Sequence, residues 1–149
     1  LPDQRERIQR KIERAAALPA EARQQALAAL DRLPAGDKLC HSDFHPGNIL
    51  MTPQGEVIID WMDTTRGNPL ADLARSTILA LGAASTAQVP QMGVKVSLRL
   101  FHVIYLRGYF RLRPGGMSEY RDWLPVVAAA RLAENIPELE QWLLKRATE

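Results

Sequence analysis

Apolar positions keep a helical period along most of this chain and a strand period in one short stretch. Over residues 3 to 17, Ile8, Ile12 and Ala15-Ala16 form a narrow apolar stripe among Arg and Glu, and Asp3 stands where an N-cap is wanted. A second helix is predicted from Pro19, a good first-turn residue, to about Leu33, with Ala22, Ala26, Leu27, Leu30 and Leu33 on one face. Pro34-Ala35-Gly36-Asp37 stops it. After Pro69, the residues Leu70, Leu73, Ala74, Thr77, Ile78 and Leu81 repeat with a period of 3.6 up to Gly82, and Ala83 to Pro90 reads as a loop. Residues 91 to 113 carry both signals: Val94 to Leu100 alternates like a strand, while Leu100, Val103, Ile104 and Leu106 fit a helix. No turn residue interrupts them before Pro114, so length favours one long helix. A helix from about Ser118, with Pro125 near a boundary, and a last one opened by Pro137, with Leu139, Trp142 and Leu143 inward, complete the pattern.

The exception is residues 38 to 60. Lys38 to Cys40 is a short approach strand. His41 to Gly47 is a polar loop. Asn48 to Met51 is a brief apolar run, Thr52-Pro53-Gln54-Gly55 is a turn, and Glu56 to Ile59 is a β-branched run that ends on Asp60. Trp61 to Asn68 reads as irregular. The fold class predicted is mainly α with a small central β-hairpin. That hairpin brings Asp43, Asn48 and Asp60 to its two open ends. Two carboxylates and an amide oxygen are hard oxygen ligands of the kind Mg²⁺ takes.

Composition narrows the classes. The chain's 149 residues suit one domain, 46% apolar and 24% charged residues are ordinary for a globular protein, and the net charge is +2. Charges are interspersed, which gives no argument for nucleic acid or an anionic membrane. The single Cys40 makes no internal disulfide, and a reducing cytoplasm is the expected compartment. No apolar run reaches transmembrane length.

His41-Ser42-Asp43-Phe44-His45-Pro46-Gly47-Asn48 has the H-x-D-x-x-x-x-N shape of a kinase catalytic loop. Its wording resembles the aminoglycoside phosphotransferase and choline kinase family, which shares the protein-kinase-like fold. The likeness continues through the hairpin into Ile59-Asp60-Trp61-Met62-Asp63 and Gly67-Asn68-Pro69-Leu70-Ala71-Asp72-Leu73-Ala74. The resemblance implies the helical C-terminal lobe of that fold over residues 1 to 149: a catalytic loop at 41 to 48, a metal-binding segment at 59 to 63 and a helical subdomain at 69 to 149. It implies transfer of the γ-phosphoryl group of ATP or GTP, with Mg²⁺, to a hydroxyl of a small molecule. Asp43 then takes the place of the base that orients and deprotonates the acceptor. Asn48 and Asp60 take the metal- and nucleotide-binding places. His41 braces the loop, and Asp72 props it by accepting backbone hydrogen bonds, while also suiting the first turn of a helix. His45 stands where protein kinases often carry a lysine that reaches the transferred phosphate; it reads equally as a loop histidine with backbone contacts. Asp63 is either an addition to the site or a solvated acid. Trp61, Tyr105, Tyr109 and Trp123 line an acceptor pocket or pack in the core, and His102 reads as packed. Arg107, Arg111 and Arg113 suit an anionic substrate or, more ordinarily, a solvated face.

The resemblance does not extend to a nucleotide lobe. No glycine-rich strand-turn-strand precedes residue 38, and the early Lys11 falls in a helix. Ser42 replaces the usual glycine of the motif. The expectation is therefore a catalytic lobe without its N-terminal nucleotide lobe, inactive alone and self-associating through the surface left uncovered. Its partners are a nucleotide, a small-molecule alcohol and the missing lobe, with no nucleic acid and no membrane. A chain that begins with Leu1 fits an excerpt of a longer protein. The competing expectation is a non-catalytic lobe that binds substrate or protein.

Overall fold

The structure, a computed structural model, describes residues 1–87 and 89–149; Gln88, in the predicted loop from Ala83 to Pro90, lies outside the described residues. Helix α1 (Gln4–Arg14) is capped by Asp3, whose carboxylate accepts from the Glu6 amide. Helix α2 (Ala20–Arg32) follows after Pro19 and buries Ala22, Ala26 and Leu30. Strand β1 (Lys38–Cys40) leads to the polar loop, a 3-10 turn over Pro46–Asn48 and the hairpin of β2 (Ile49–Thr52) and β3 (Gly55–Ile58). The hairpin pairs Ile49 with Ile58 and Thr52 with Gly55, and Gly55 takes a φ of 119° that a side chain would resist.

A second sheet escaped the sequence reading. Residues 65 to 67, expected to be irregular, form β4 (Thr65–Gly67), antiparallel to β1 with Cys40 opposite Thr65 and Lys38 opposite Gly67. Three residues carry too short a pattern to show a period, and the pairing depends on what lies beside them. Pro2 and Gln4 are those neighbours: the Arg66 amide donates to the Pro2 carbonyl, and the Asn68 amide donates to Gln4 Oε1 at 2.8 Å. Gly67 is required here, because a Cβ would lie 2.2 Å from Gln4 Oε1.

Helix α3 (Pro69–Ser85) is capped by Asn68, whose Oδ1 accepts from the Leu70 amide at 2.8 Å. It runs past Gly82, the predicted end, to Ser85. Gly82 is not a stop because its bare Cα faces Leu139 and Trp142 of the last helix, and the alanines after it favour helix. Helix α4 (Met92–Leu112) is the long helix that length predicted. Helix α5 (Met117–Arg131) differs from expectation in that Pro125 lies in its interior. The proline removes one amide donor, and the buried residues on both sides, Trp123, Val126 and Val127, hold the helix together across it. A 3-10 turn (Leu132–Glu134) and Asn135, at a φ of 51°, redirect the chain into α6 (Pro137–Ala147).

The core lies between α1, α2, α3, α5 and α6, with Ile12, Leu30, Leu73, Trp123, Val126 and Leu143 almost fully buried. Trp123 belongs to this core. Helix α4 packs on α3 through Tyr105, Leu106, Tyr109 and Phe110 and buries no residue completely; its Val96, Leu100 and Ile104 face outward. Among the described residues no helix is long and apolar enough to cross a membrane.

Candidate active site

The polar loop after β1 is shaped from below by one carboxylate. Asp72, in the first turn of α3, accepts from the His41 amide at 2.9 Å and the Ser42 amide at 2.7 Å. Burial pushes the Asp72 carboxyl above the ordinary range, and the two amides, His41 and Arg75 draw it part of the way back. Its neighbours feel it in turn. Burial, with Asp72 beside it, raises the Cys40 thiol to about 12, and the same two causes raise Tyr105 to about 12. Neither group ionises near neutral pH.

Ser42 turns the chain with a φ of 68°, in the left-handed region where a glycine is free and serine is strained. Three further contacts hold it there: its amide on Asp72, its carbonyl accepting from Arg75 Nε at 3.2 Å, and its hydroxyl 3.1 Å from the Thr65 hydroxyl on β4. The turn brings the Asp43 amide to His41 Nδ1 at 3.2 Å, while His41 Nε2 lies 2.9 Å from the Ile59 carbonyl. An accepting Nδ1 fixes His41 as the Nε2–H tautomer, so one neutral ring ties the loop to the end of the hairpin. Trp61 stacks obliquely on it at 4.6 Å between ring centres.

Asp43 and Asn48 meet directly. Asn48 Nδ2 donates to the Asp43 carbonyl at 2.9 Å and is 3.3 Å from its Oδ2. Both amide hydrogens therefore point toward Asp43, and Asn48 Oδ1 accepts no hydrogen bond among the described residues. His45 follows the same logic as His41: Nδ1 accepts from the Gly47 amide at 3.1 Å, which leaves Nε2–H facing Asp43 Oδ2 at 3.6 Å. Asp60 is reached through the backbone. The Ile59 amide donates to the Asn48 carbonyl at 3.0 Å, extending the hairpin ladder by one step, and Asp60 follows at a φ of 61°. Its carboxylate is exposed and makes no hydrogen bond with a described residue. Left-handed backbone at an unpaired acid is a feature that function more often explains than folding does.

Asp63 lies apart from this group. Arg7 of α1 grips its carboxylate and its carbonyl, the latter at 2.6 Å. Arg107, Arg111 and Arg113 point into solvent at the end of α4 with no ion pair among the described residues. Phe44, one residue past Asp43, packs on Tyr105 at 4.9 Å and Phe101 at 6.2 Å, so α4 closes over the loop through aromatic rings. His102, half-buried on α4, has its pKa lowered by burial.

The sequence reading passed over the residues behind the loop. Arg75 reaches both Ser42 and Glu134, and Glu134 also takes Lys11 at 3.2 Å and Arg131 at 3.1 Å. Asp72 and Arg75 stand three apart, on one helix face, which is the only sign of this group that the sequence carries. Glu134 lies far from both in sequence, outside any motif.

Magnesium can be tested against these side chains. Asn48 Oδ1, the Asp60 carboxylate and Asp43 Oδ1 accept no hydrogen bond from a described residue, and the first two are the candidate metal ligands. No group of three His, Cys, Asp or Glu side chains suited to a metal exists among the described residues. An amide oxygen and a carboxylate that flank the hairpin fit an ion that keeps water and phosphate in its remaining positions, and do not fit an ion that wants a full protein cage.

Asp43, Asn48 and Asp60 thus flank one hairpin, beside a loop propped by Asp72. The chain belongs to the phosphotransferase enzyme family, whose profile matches residues 1–123. No curated protein and no solved structure matches it significantly.

Proposed function

We propose that this chain forms the catalytic half of a small-molecule kinase that moves the γ-phosphoryl group of ATP or GTP to an alcohol. The observation that carries the reading is the set of oxygens left over once the loop's own hydrogen bonds are counted. Asp43 Oδ1, Asn48 Oδ1 and both carboxylate oxygens of Asp60 accept no hydrogen bond from a described residue, while Asn48 Nδ2 holds the Asp43 carbonyl and lies 3.3 Å from Asp43 Oδ2.

In this reading Asp43 accepts the proton of the acceptor hydroxyl as that oxygen bonds to the γ-phosphorus and the bond to the diphosphate breaks. Proton acceptance needs a carboxylate that is fixed in direction, and Asn48 Nδ2 fixes it. Asn48 Oδ1 and Asp60 would hold Mg²⁺, which would supply positive charge to the phosphates. His45 also serves as a donor to a phosphoryl oxygen, since Nε2–H is its free end. His41 and Asp72 keep the loop in the one shape that gives Asp43 this direction. The acceptor class remains an alcohol of the aminoglycoside, choline or sugar type. No glycine-rich phosphate loop is among the described residues, and Lys38 of β1 is exposed and paired with Asp37 at 2.8 Å, so we expect the 149-residue chain alone to bind Mg-nucleotide weakly and to turn over no substrate.

Manganese in place of magnesium tests the metal assignment without requiring turnover. In NMR spectra, traces of Mn²⁺ with millimolar ATP should broaden the Asn48 side-chain amide and the Asp60 backbone amide first. Broadening spread over Asp37, Asp122 and other surface acids instead would overturn it.

A further inference from the structure

Glu134 binds three cations from three different helices. Oε1 accepts from Lys11 of α1 at 3.2 Å and Arg75 of α3 at 2.8 Å; Oε2 accepts from Arg131 of α5 at 3.1 Å. The cluster is not a surface network. The side chains of Arg75 and Arg131 are 15% and 10% exposed, and Glu134 is 25% exposed. Burial pushes the Glu134 carboxyl up, and Arg75, Arg131 and Lys11 more than reverse this, leaving it below the ordinary range. Burial lowers Arg131, and the proximity of Arg75 lowers it further, against the opposing pull of Glu134 and of Asp43 itself. Two buried guanidinium groups thus lie side by side, compatible only because Glu134 stands between them. Arg131 Nε is buried and has no hydrogen-bond partner, so Glu134 is what fixes this side chain.

The cluster touches the loop at one atom. Arg75 Nε donates to the Ser42 carbonyl at 3.2 Å, at the residue whose left-handed turn sets the direction of Asp43. Arg75 lines a cavity of about 50 Å³ together with Gln4, Arg7, Lys11, Ser42 and Asp72. We propose that Glu134, acting through Arg75 and with Arg131 as its second ligand, is a positioning residue that holds the Ser42 turn and so the direction of Asp43. The proposal rests on the phosphotransferase reading only in taking Asp43 as the base; the hold on the Ser42 turn does not need it. Arg131 and Glu134 lie past residue 123, beyond the family match, so the turn after α5 is part of the loop's support in this chain.

Amide hydrogen exchange tests it without any substrate. Glu134→Gln keeps the shape and removes the charge. Arg75→Lys keeps the ion pair and loses the Nε donation. Both should accelerate exchange of the His41 and Ser42 amides by about tenfold, while Ala26 and Leu30 of α2 keep their wild-type rates. Unchanged His41 and Ser42 exchange in both variants overturns the proposal, and so does equal acceleration in α2, which reports general destabilisation. In a protein that turns over, both variants should lower kcat and leave the KM for nucleotide unchanged. Local loosening in the isolated chain, with no phosphoryl transfer by the wild type of the natural protein that carries it, would sink the phosphotransferase reading and leave the positioning role standing.

Discussion

Replacing Asp72 by alanine should damage the loop more than the loss of a first-turn helix acid would suggest. The carboxylate is the sole acceptor for the His41 and Ser42 amides, at 2.9 and 2.7 Å. Removing it leaves two part-buried donors without partners, at about 1–3 kcal/mol each. Against this stands the relief of burying a charge, since burial raises the Asp72 carboxyl. The expected net loss is about 2–4 kcal/mol, a large share of the roughly 5–15 kcal/mol that stabilises a domain. Urea denaturation followed by circular dichroism measures it, with Asp122→Ala, an exposed acid on α5, as a control expected within about 0.5 kcal/mol of wild type. Asp72→Asn should recover roughly half, because one carboxamide oxygen can serve only one of the two amides well. The pH dependence has a definite sign. A carboxyl whose folded pKa is raised holds its proton more tightly in the folded state, so its contribution to stability is present below the unfolded carboxylate pKa and is lost as pH rises through the folded value. An Asp72→Ala loss below about 0.5 kcal/mol, or unchanged exchange of the Ser42 amide, would refute the reasoning.

Other outcomes follow from single features. At Ser42, with a φ of 68°, the Gly variant should be more stable than the Ala variant by about 1 kcal/mol, the reverse of the order in a helix or strand; thermal melts compare them. Glu134, with its folded pKa lowered, contributes stability above its unfolded value of 4.5 that is lost as pH falls through the folded pKa. That acid-side loss should be absent in Glu134→Gln when the two pH–stability curves are overlaid. Cys40, buried with its thiol near 12, should resist iodoacetamide at pH 8 in the folded protein and react at once in urea. Trp123→Ala, at 1% exposure in the core, should cost about 3–5 kcal/mol in denaturant titration.

The legible parts of this protein are those with a period or a motif. Helices α1 to α3 announced themselves by apolar spacing and by Asp3, Pro19 and Pro69, and the hairpin by Thr52 to Gly55 between two apolar runs. Even so, the end of α3 was misread at Gly82, because a bare Cα there serves packing against Leu139 and Trp142. The reading of Pro125 as a boundary failed for a related reason: burial of Trp123, Val126 and Val127 outweighs one missing hydrogen bond. Strand β4 was invisible because its partners are β1, Pro2 and Gln4, distant in sequence. The candidate site divides in the same way. Asp43, Asn48, Asp60 and Asp72 stand at motif spacing. Arg75, Arg131 and Glu134 act through contacts between α3, α5 and the turn after it, and no local pattern encodes those. Asp63 was placed near the site by its position after Asp60, yet its carboxylate is turned toward Arg7 of α1.

The most direct test of the account compares Asp43→Ala and Asp60→Ala in the natural protein that carries this chain, measuring Mg-nucleotide binding by calorimetry and phosphoryl transfer to a panel of alcohols. The account predicts that Asp43→Ala binds Mg-nucleotide as wild type does and transfers nothing, whereas Asp60→Ala loses both. Equal turnover in wild type and Asp43→Ala would contradict it.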